Sequence, residues 1–363
     1  MVYSDKQRYW IWLSSALCPD CKSFYRLLDE YGEAEYVWNQ LILAKRLLRP
    51  SAFSRLQNAR TSEYMDNLME RLEKRNVVAV TQLDDEYPDR LRAIAEAPPT
   101  VYLRGDHRAL NPDRAFAIVG SRKATVDGMR FVQSVACDLS RAGVCIVSGL
   151  AAGIDTHAHM GCLEGGAPTL AVLGSGPDII YPPENRDLAA RIIDEGGALL
   201  AEYPPGYPPA DHTFPRRNRI IVGLSDGVLM GEGTLHSGAM ITMRYAREQR
   251  RPRFAVPGSV YAASYEGTNH LLLEGAQICL GARQVTDYYG WRAAPAEKAA
   301  GDMPELDGPS LKIVEMLKYE EKSFDELANA MKMDVSSLNS LLTILEMQGI
   351  IRQAAGKMYR AIV

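Results

Sequence analysis

No long apolar run occurs anywhere in the 363 residues. The opening segment, MVYSDKQRYWIWLSSALCPD, has neither the basic start nor the apolar core of a secretory signal, and 9–13 is far too short to span a bilayer. A cytoplasmic protein without a membrane partner is the expectation. Excess positive charge is missing too: 41 Lys and Arg face 45 Asp and Glu, for a formal net charge of -4. Any polyanion site must therefore be a local patch. The six cysteines include one CxxC, Cys18-Pro-Asp-Cys21, with no second pair and no nearby histidine. The two read as incidental loop thiols with no metal bound, a zinc or thioredoxin-like role being the alternative.

Cofactor and catalytic signatures are equally scarce. The first strand-to-helix turn reads GSRKATVDG rather than GxGxxG, GSGPDI lacks the third glycine, and the Walker pattern is absent. Nicotinamide and nucleoside triphosphate are disfavoured, and no cofactor is expected. No Ser/His/Asp or Cys/His arrangement stands out. Asp155, His157 and His159 share helix-like spacing after a strand, but no further carboxylate or histidine clusters beside them. Asp155 reads as a helix cap and the histidines as locally packed. No catalytic residue is assigned.

What is present is an ordinary globular composition, 47% hydrophobic and 24% charged, in a chain long enough for several domains. Residues 1–75 space apolar side chains by three and four with a break at Tyr31-Gly32, as in a helical domain of the helix-hairpin-helix or sterile-alpha-motif kind. From 76 to 291, short continuous apolar runs (AFAIVG, GVCIVSG, TLAVLG, RFAVPG) alternate with helical segments. Strands covered on both faces imply an α/β fold with an extended Rossmann-like, doubly wound parallel sheet. Residues 292–308, rich in Ala, Pro and Gly, read as a linker. Residues 309–363 then read as three helices and a hairpin, a winged helix. A capping box pairs Ser323 with Glu326, the third helix covers 335–347, and two strands flank Gly356. That third helix offers Ser336, Ser337, Asn339, Ser340 and Thr343 but no cation, and seven basic residues of this region balance seven acidic ones. A protein contact is favoured there over duplex recognition.

In a doubly wound sheet, ligands bind beyond the carboxyl ends of the strands. The residues that follow the strands are Gly120, Ser121 and Arg122, then Ser148, Gly149, Gly153, Asp155 and Thr156, then Gly174 and Gly176, and finally Ser237 and Gly238. Glycine admits close backbone approach and hydroxyls add donors, so the set reads as an anion-binding rim at helix N-termini. The stretch HTFPRRNRIIVGLSDG, 212–227, adds a helix whose first turn suits Pro215. Arg216, Arg217, Asn218 and Arg219 are expected to project from its start beside the rim, where guanidinium groups clasp phosphate oxygens, and Phe214 to stack on bases. RYAREQRRPR, 244–253, reads mostly as a solvated helix end favoured by the helix dipole.

These motifs, together with YPPEN at 181–185, SGAMIT at 237–242 and GTNHLLLEGA at 267–276, closely resemble the DNA-processing protein A family (DprA, also called Smf) over essentially the whole chain. The resemblance implies a non-catalytic single-stranded DNA-binding protein that protects incoming strands in natural transformation, helps load the RecA recombinase and works as a homodimer. It implies DNA contacts for Arg122, Arg217 and Arg219, and a dimer face in the later Rossmann region, expected at His270, Leu271 and Leu273. Two positions depart from the family: a frequent cation is replaced by Ala152, and His236 stands where a basic residue is common. Either affinity is weaker for these changes, or Lys123 or Arg216 supplies the missing charge. The alternative is a Rossmann-like nucleoside-monophosphate phosphoribohydrolase, which a partial motif at 231–234 suggests, with Glu232 as its catalytic candidate.

Overall fold

The structure, a computed structural model, describes residues 2–291, 307–318, 320–347, 350–354 and 358–361. The expected linker, save Asp307 and Gly308, and the wing turn at Gly356 lie outside the described residues. The chain divides into two compact units, Met1–Ala294 and Pro295–Val363.

Six helices open the first unit: α1 (Asp5–Leu17), α2 (Cys21–Tyr31), α3 (Ala34–Asn39), α4 (Leu41–Ala44), α5 (Pro50–Ala59) and α6 (Ser62–Lys74). Local signals set their ends. A Ser4–Gln7 capping box starts α1, Asp20 caps α2, Gly32 stops it, Pro50 begins α5 and Thr61 caps α6. Their apolar faces meet around Trp12, Leu13, Phe24, Leu27 and Leu56. Trp12 Nε1 donates to the Ala59 carbonyl at 2.7 Å, so the enclosed indole is satisfied. Ile11, Leu68 and Leu72 pack on Ala79 and Tyr102 and seat this helical layer on the sheet.

The sheet has nine strands: β1 (Val78–Thr81), β2 (Thr100–Gly105), β3 (Ala115–Val119), β4 (Cys145–Ser148), β5 (Thr169–Leu173), β6 (Ala198–Ala201), β7 (Gly227–Met230), β8 (Arg253–Ala255) and β9 (Gln277–Ile278). Their order is β1-β2-β6-β5-β4-β3-β7-β8-β9. All pairs from β6 to β9 are parallel, while β2 runs antiparallel to both neighbours. The apolar runs of the sequence foretell β3 to β8 but not the additions at the edges. VAVT and QI are too short to announce themselves, and TVYLRG ends in a charge and a glycine.

The remaining helices of this unit are α7 (Asp89–Arg92), α8 (Val126–Arg141), α9 (Ile154–Gly165), α10 (Arg186–Asp194), α11 (Thr213–Gly223), α12 (Gly238–Glu248), α13 (Glu266–Leu273) and α14 (Ala282–Tyr289). One face of the sheet, including Ala117, Val147 and Val228, is covered by α7, α11, α12 and α13. The other is covered by α8, α9, α10 and α14. Chain order runs outward from β3 to β4 and β5, and later crosses back to β7 on the far side of β3. The strand order therefore reverses beside β3, and a crevice opens there at the carboxyl ends. No helix among the described residues is long and apolar enough to cross a membrane.

The second unit has α15 (Gly308–Leu317), α16 (Phe324–Met331), α17 (Val335–Met347) and strands β10 (Lys322–Ser323), β11 (Ile351–Ala354) and β12 (Met358–Ala361) in the order β10-β12-β11. Ile313, Leu327, Leu338, Leu342, Ile351 and Tyr359 form its core. The Ser323–Glu326 capping box is present, and the fold is a winged helix. The molecule is thus an α/β protein with a mostly parallel sheet, a helical N-terminal layer and a C-terminal winged helix.

Gly161 and Gly165, one turn apart on α9, let its backbone lie directly on α8: a Cβ at either would strike Gln133 or Ser140. Gly161→Ala must push the helices apart, and is expected to lower the unfolding free energy by about 1–3 kcal/mol, as overpacking does. Urea denaturation of the two proteins checks this.

Candidate functional site

At the reversal beside β3, the ends of β3, β4 and β7 meet the N-termini of α11 and α12 around an open cleft of about 690 Å³. Gly120, Ser121, Arg122, Asp155, Phe214, Arg217, Asn218, Ser237 and Gly238 come together in its wall. Neither α11 nor α12 has a side-chain cap. Thr213 N–H is taken by the Ala210 carbonyl and Met240 N–H by that of Ser237, and Pro215 has no N–H, so the N–H groups of Phe214, Gly238 and Ala239 are the ones left for water or an anion. Ser237 Oγ is enclosed and has no hydrogen-bond partner among the described residues.

One carboxylate sets the first lip. Glu232 is fully buried, and accepts from the Thr125 N–H at 3.0 Å and from Thr125 Oγ1 at 2.7 Å. Its backbone carbonyl accepts from Ser121 N–H at 2.7 Å. The 121–125 turn is thereby pinned, and Arg122 and Lys123 are exposed. Among the described residues no carboxylate lies within ion-pairing distance of either. As a catalytic candidate, Glu232 is enclosed by the turn it anchors. Gly153, at φ 80, lies so close to the Ser121 and Arg122 backbone that no Cβ fits.

Arg122 Cζ stands 5.4 Å from the centroid of the Phe214 ring, a cation–π contact. Phe214 in turn lies 5.4 Å from Tyr181, the rings inclined by 36°. Gly174 makes room for them: a Cβ there would fall 2.8 Å from the phenyl ring. Tyr181 is 45% exposed and completes a guanidinium–aromatic platform. Reasoning from strand ends alone misses Tyr181, because it follows a long loop rather than a strand.

The arginines of α11 do not share one role. Arg217 is buried: its Nη1 donates to the Gly149 carbonyl at 2.7 Å and also to that of Val172, and its Nε to Asn218 Oδ1 at 3.2 Å. Its guanidinium and the Asp155 carboxylate both lie over Gly149, where a side chain would meet them. Burial pulls the Arg217 pKa down to about 10, with Asp155 opposing and Arg122 assisting, so it stays charged at neutral pH. Burial lifts the Asp155 carboxyl above its ordinary value, opposed by Arg217 and by the N–H groups of Ala151 and Gly149.

Arg216 and Arg219 turn away from the cleft, contrary to the expectation that all three line it. Arg219 makes a bidentate pair with Glu202, at 2.6 and 3.1 Å, and donates to the Glu96 carbonyl at 3.2 Å. Burial alone would depress its pKa, but Glu202 and Cys21 more than reverse that. Arg216 donates to the Pro19 carbonyl at 2.6 Å and pairs with Glu96 and Glu202, each at 3.5 Å. It therefore cannot replace the charge missing at Ala152. The CxxC loop is the lid of this charge cluster, and burial, then Glu202, push both of its thiols up.

Six expected rim residues support the cleft without lining it. Ser148 donates to the Ile118 carbonyl at 2.6 Å within the core, and Thr156 to the Ala151 carbonyl at 2.8 Å. Gly149, Gly153 and Gly174 accommodate neighbours as above, and Gly176 backs onto the Pro204 carbonyl. His157 contacts the Gly153 carbonyl through Nδ1 at 2.9 Å, and fully buried His159 bonds Thr169, its pKa lowered to about 3 by burial. Among the described residues no cluster of three His, Cys, Asp or Glu side chains is placed to hold a metal. Of the expected dimer face, His270 and Leu273 are exposed, but Leu271 is 1% exposed and packs on the sheet, so it cannot meet a partner. The outer face of α17 is uncharged along Ser336, Asn339, Ser340 and Thr343, and two of its hydroxyls bond back to helix carbonyls.

Residues 60–290 match the sequence family described as DNA recombination-mediator protein A. The chain belongs to that family. Residues 295–357 match its winged helix domain. Protein Smf of Synechocystis sp. is similar to this family member at 30% identity over 98% of the chain and 99% of its own length. The X-ray structure of DNA processing protein A from Streptococcus pneumoniae is similar with a TM-score of 0.68 at 32% identity, covering 79% of this chain and 98% of that one. That of the Helicobacter pylori protein, described in terms of a unique single-stranded DNA binding mode, is similar with a TM-score of 0.52 at 28% identity, covering 59% and 95%.

Arg219→Met would leave the buried Glu202 carboxylate with only the longer Arg216 contact at 3.5 Å. It is expected to lower stability by about 3–5 kcal/mol, the cost of breaking a buried pair, with partial recovery when Glu202→Gln is added. Denaturant midpoints of the single and double variants test this.

Proposed function

We propose that the cleft binds single-stranded DNA, with Arg122 and Lys123 contacting phosphates and the Phe214–Tyr181 pair stacking bases. The observation that carries the reading is the platform itself: an exposed guanidinium without a carboxylate partner against the Phe214 ring, which Tyr181 flanks, beside two helix N-termini without side-chain caps, in a chain of net charge -4. Phosphate attraction and sequence-tolerant stacking are the two ingredients of single-strand grooves. The single-strand binding described for the H. pylori relative supports it. Binding rather than catalysis is favoured by the enclosure of Glu232. With Ala152 exposed and Arg216 neutralised, the outer grip falls on Arg122 and Lys123.

In this reading the protein acts in the cytoplasm, protects incoming strands in natural transformation and promotes RecA loading. It works as a homodimer through the surface that carries His270 and Leu273, where Val260 and Tyr261 are also exposed. The neutral winged helix suits contact with protein better than with duplex.

The test is a salt titration of oligonucleotide binding, single strand against duplex. Arg122→Ala is expected to weaken single-strand binding about tenfold or more, from the ~1.5–3 kcal/mol of a charge-assisted hydrogen bond. Its log K against log salt becomes shallower by ~0.7. Tyr181→Ala should cost ~1–3 kcal/mol and leave the slope unchanged. Equal single-strand binding by wild type and Arg122→Ala would sink the proposal.

A further inference from the structure

The arginine-rich end of α12 is not simply a solvated terminus. The helix closes in a Schellman motif: Arg250 N–H donates to the Arg247 carbonyl at 3.1 Å and Arg251 N–H to the Ala246 carbonyl at 2.8 Å. Residue 250 is thereby held at φ 54, in the left-handed region where glycine is the usual occupant and a side chain costs about 1 kcal/mol.

Beside it lies a second open cavity of about 500 Å³, between the 93–96 loop, α11 and the end of α12. Five arginines line it (Arg90, Arg216, Arg219, Arg250 and Arg251), against Glu96 and Glu248. Three of them are neutralised: Arg90 by Asp226 at 3.1 Å, Arg216 by Glu96 at 3.5 Å and Arg219 by Glu202 at 2.6 Å. Glu248 reaches Arg244 at 4.0 Å. Arg250 and Arg251 have no carboxylate within ion-pairing distance among the described residues. The Arg251 stem is half-buried, and its enclosed Nε has no hydrogen-bond partner there either. The helix dipole favours a cation at this end. It does not account for two unpaired arginines at one cavity, one of them on a strained backbone.

We infer that this cavity is a second anion site, which takes a phosphate of the same single strand where it leaves the first cleft. The inference rests on the single-strand reading of that cleft. Both cavities are bordered by α11 and α12, so one helix pair joins them: Asn218 and Ile241 line the first, Arg219 and Tyr245 the second. Continuity with the cleft favours a nucleic-acid phosphate over an acidic protein segment, which would leave oligonucleotide binding unchanged.

The experiment uses oligothymidylates of about 6 and about 20 nucleotides, bracketing the ~4–16-nucleotide footprints of single-strand grooves, with binding read by fluorescence anisotropy. The variants are Arg250→Gly and Arg250→Gly/Arg251→Gln. Glycine at 250 relaxes the backbone, so thermal unfolding of Arg250→Gly should fall at or above that of wild type, and lost binding cannot be ascribed to misfolding. On the longer strand, the slope of log K against log salt should become shallower by ~0.7 for each phosphate contact removed, whereas the short strand binds as in wild type. Unchanged binding of the longer strand by the double variant overturns the second site, and so does equal loss on both lengths. Arg122→Ala separates the two readings. If it weakens both strands while the double variant weakens neither, only the second site is lost. If it too weakens neither, the cleft reading has failed and the second site falls with it.

Discussion

The enclosed pair between Arg219 and Glu202 governs how the rest of the molecule is arranged. Two charges at 4% and 2% side-chain exposure are costly to desolvate, and persist only where nearly every donor and acceptor has a partner. Here the guanidinium meets both carboxylate oxygens, the Glu96 and Arg216 carbonyls and the Cys21 sulfur. Those partners come from the helical layer, the loop before β2 and the end of β6, so one residue ties three segments together. The pair also fixes the roll of α11. Successive helical residues turn by about 100°, so Arg216 and Arg219 share one face while Arg217, between them, is carried toward the cleft.

The cleft inherits its electrostatics from that division. Arg217 is spent largely on the Gly149 and Val172 carbonyls and on Asn218, which makes it a fixed positive background more than a flexible clasp. Exposed charge is supplied by the 121–125 turn, and Glu232 is what holds that turn in place. A buried carboxylate with three acceptor contacts to Thr125 replaces any cofactor-like anchor at this point. The chain can remain acidic overall because the attraction is built locally, from two exposed cations and two helix N-termini.

Much of this is legible in the residues alone. Continuous apolar runs ending in glycine mark the parallel strands, and the reversal of strand order follows from the fold class, so GSR at 120–122 and SG at 237–238 fall where a crevice must be. The separation of Arg216 and Arg219 from Arg217 was also implicit in helical phase, once Pro215 marks the first turn. What no single sequence discloses is the destination of the outward face. Glu202, Cys21 and Glu96 are distant in the chain, and only tertiary packing makes CPDC a lid over buried charge instead of a pair of loop thiols. Tyr181 and Phe214 meet for the same reason, through a long-range contact allowed by the bare Gly174. Leu271 shows the converse error, because an apolar residue in a short helix was as compatible with the core as with a partner.

Under the proposed function, the chemistry of the wall also predicts what the site ignores. Reading base identity needs free hydrogen-bonding edges aimed at the base, and the amide best placed for that is partly engaged: Asn218 Oδ1 accepts from Arg217, which leaves one lone pair and the NH₂ group to probe a ligand. Ser237 Oγ and the helix N-termini address oxygens of any phosphate, and the rings of Phe214 and Tyr181 address the faces that all bases share. Affinity built from these elements is therefore tolerant of sequence and intolerant of pairing, since a base must be unstacked from its neighbours to lie on Tyr181. Discrimination between single strand and duplex thus follows from an exposed aromatic platform with few base-edge partners, and requires no recognition helix.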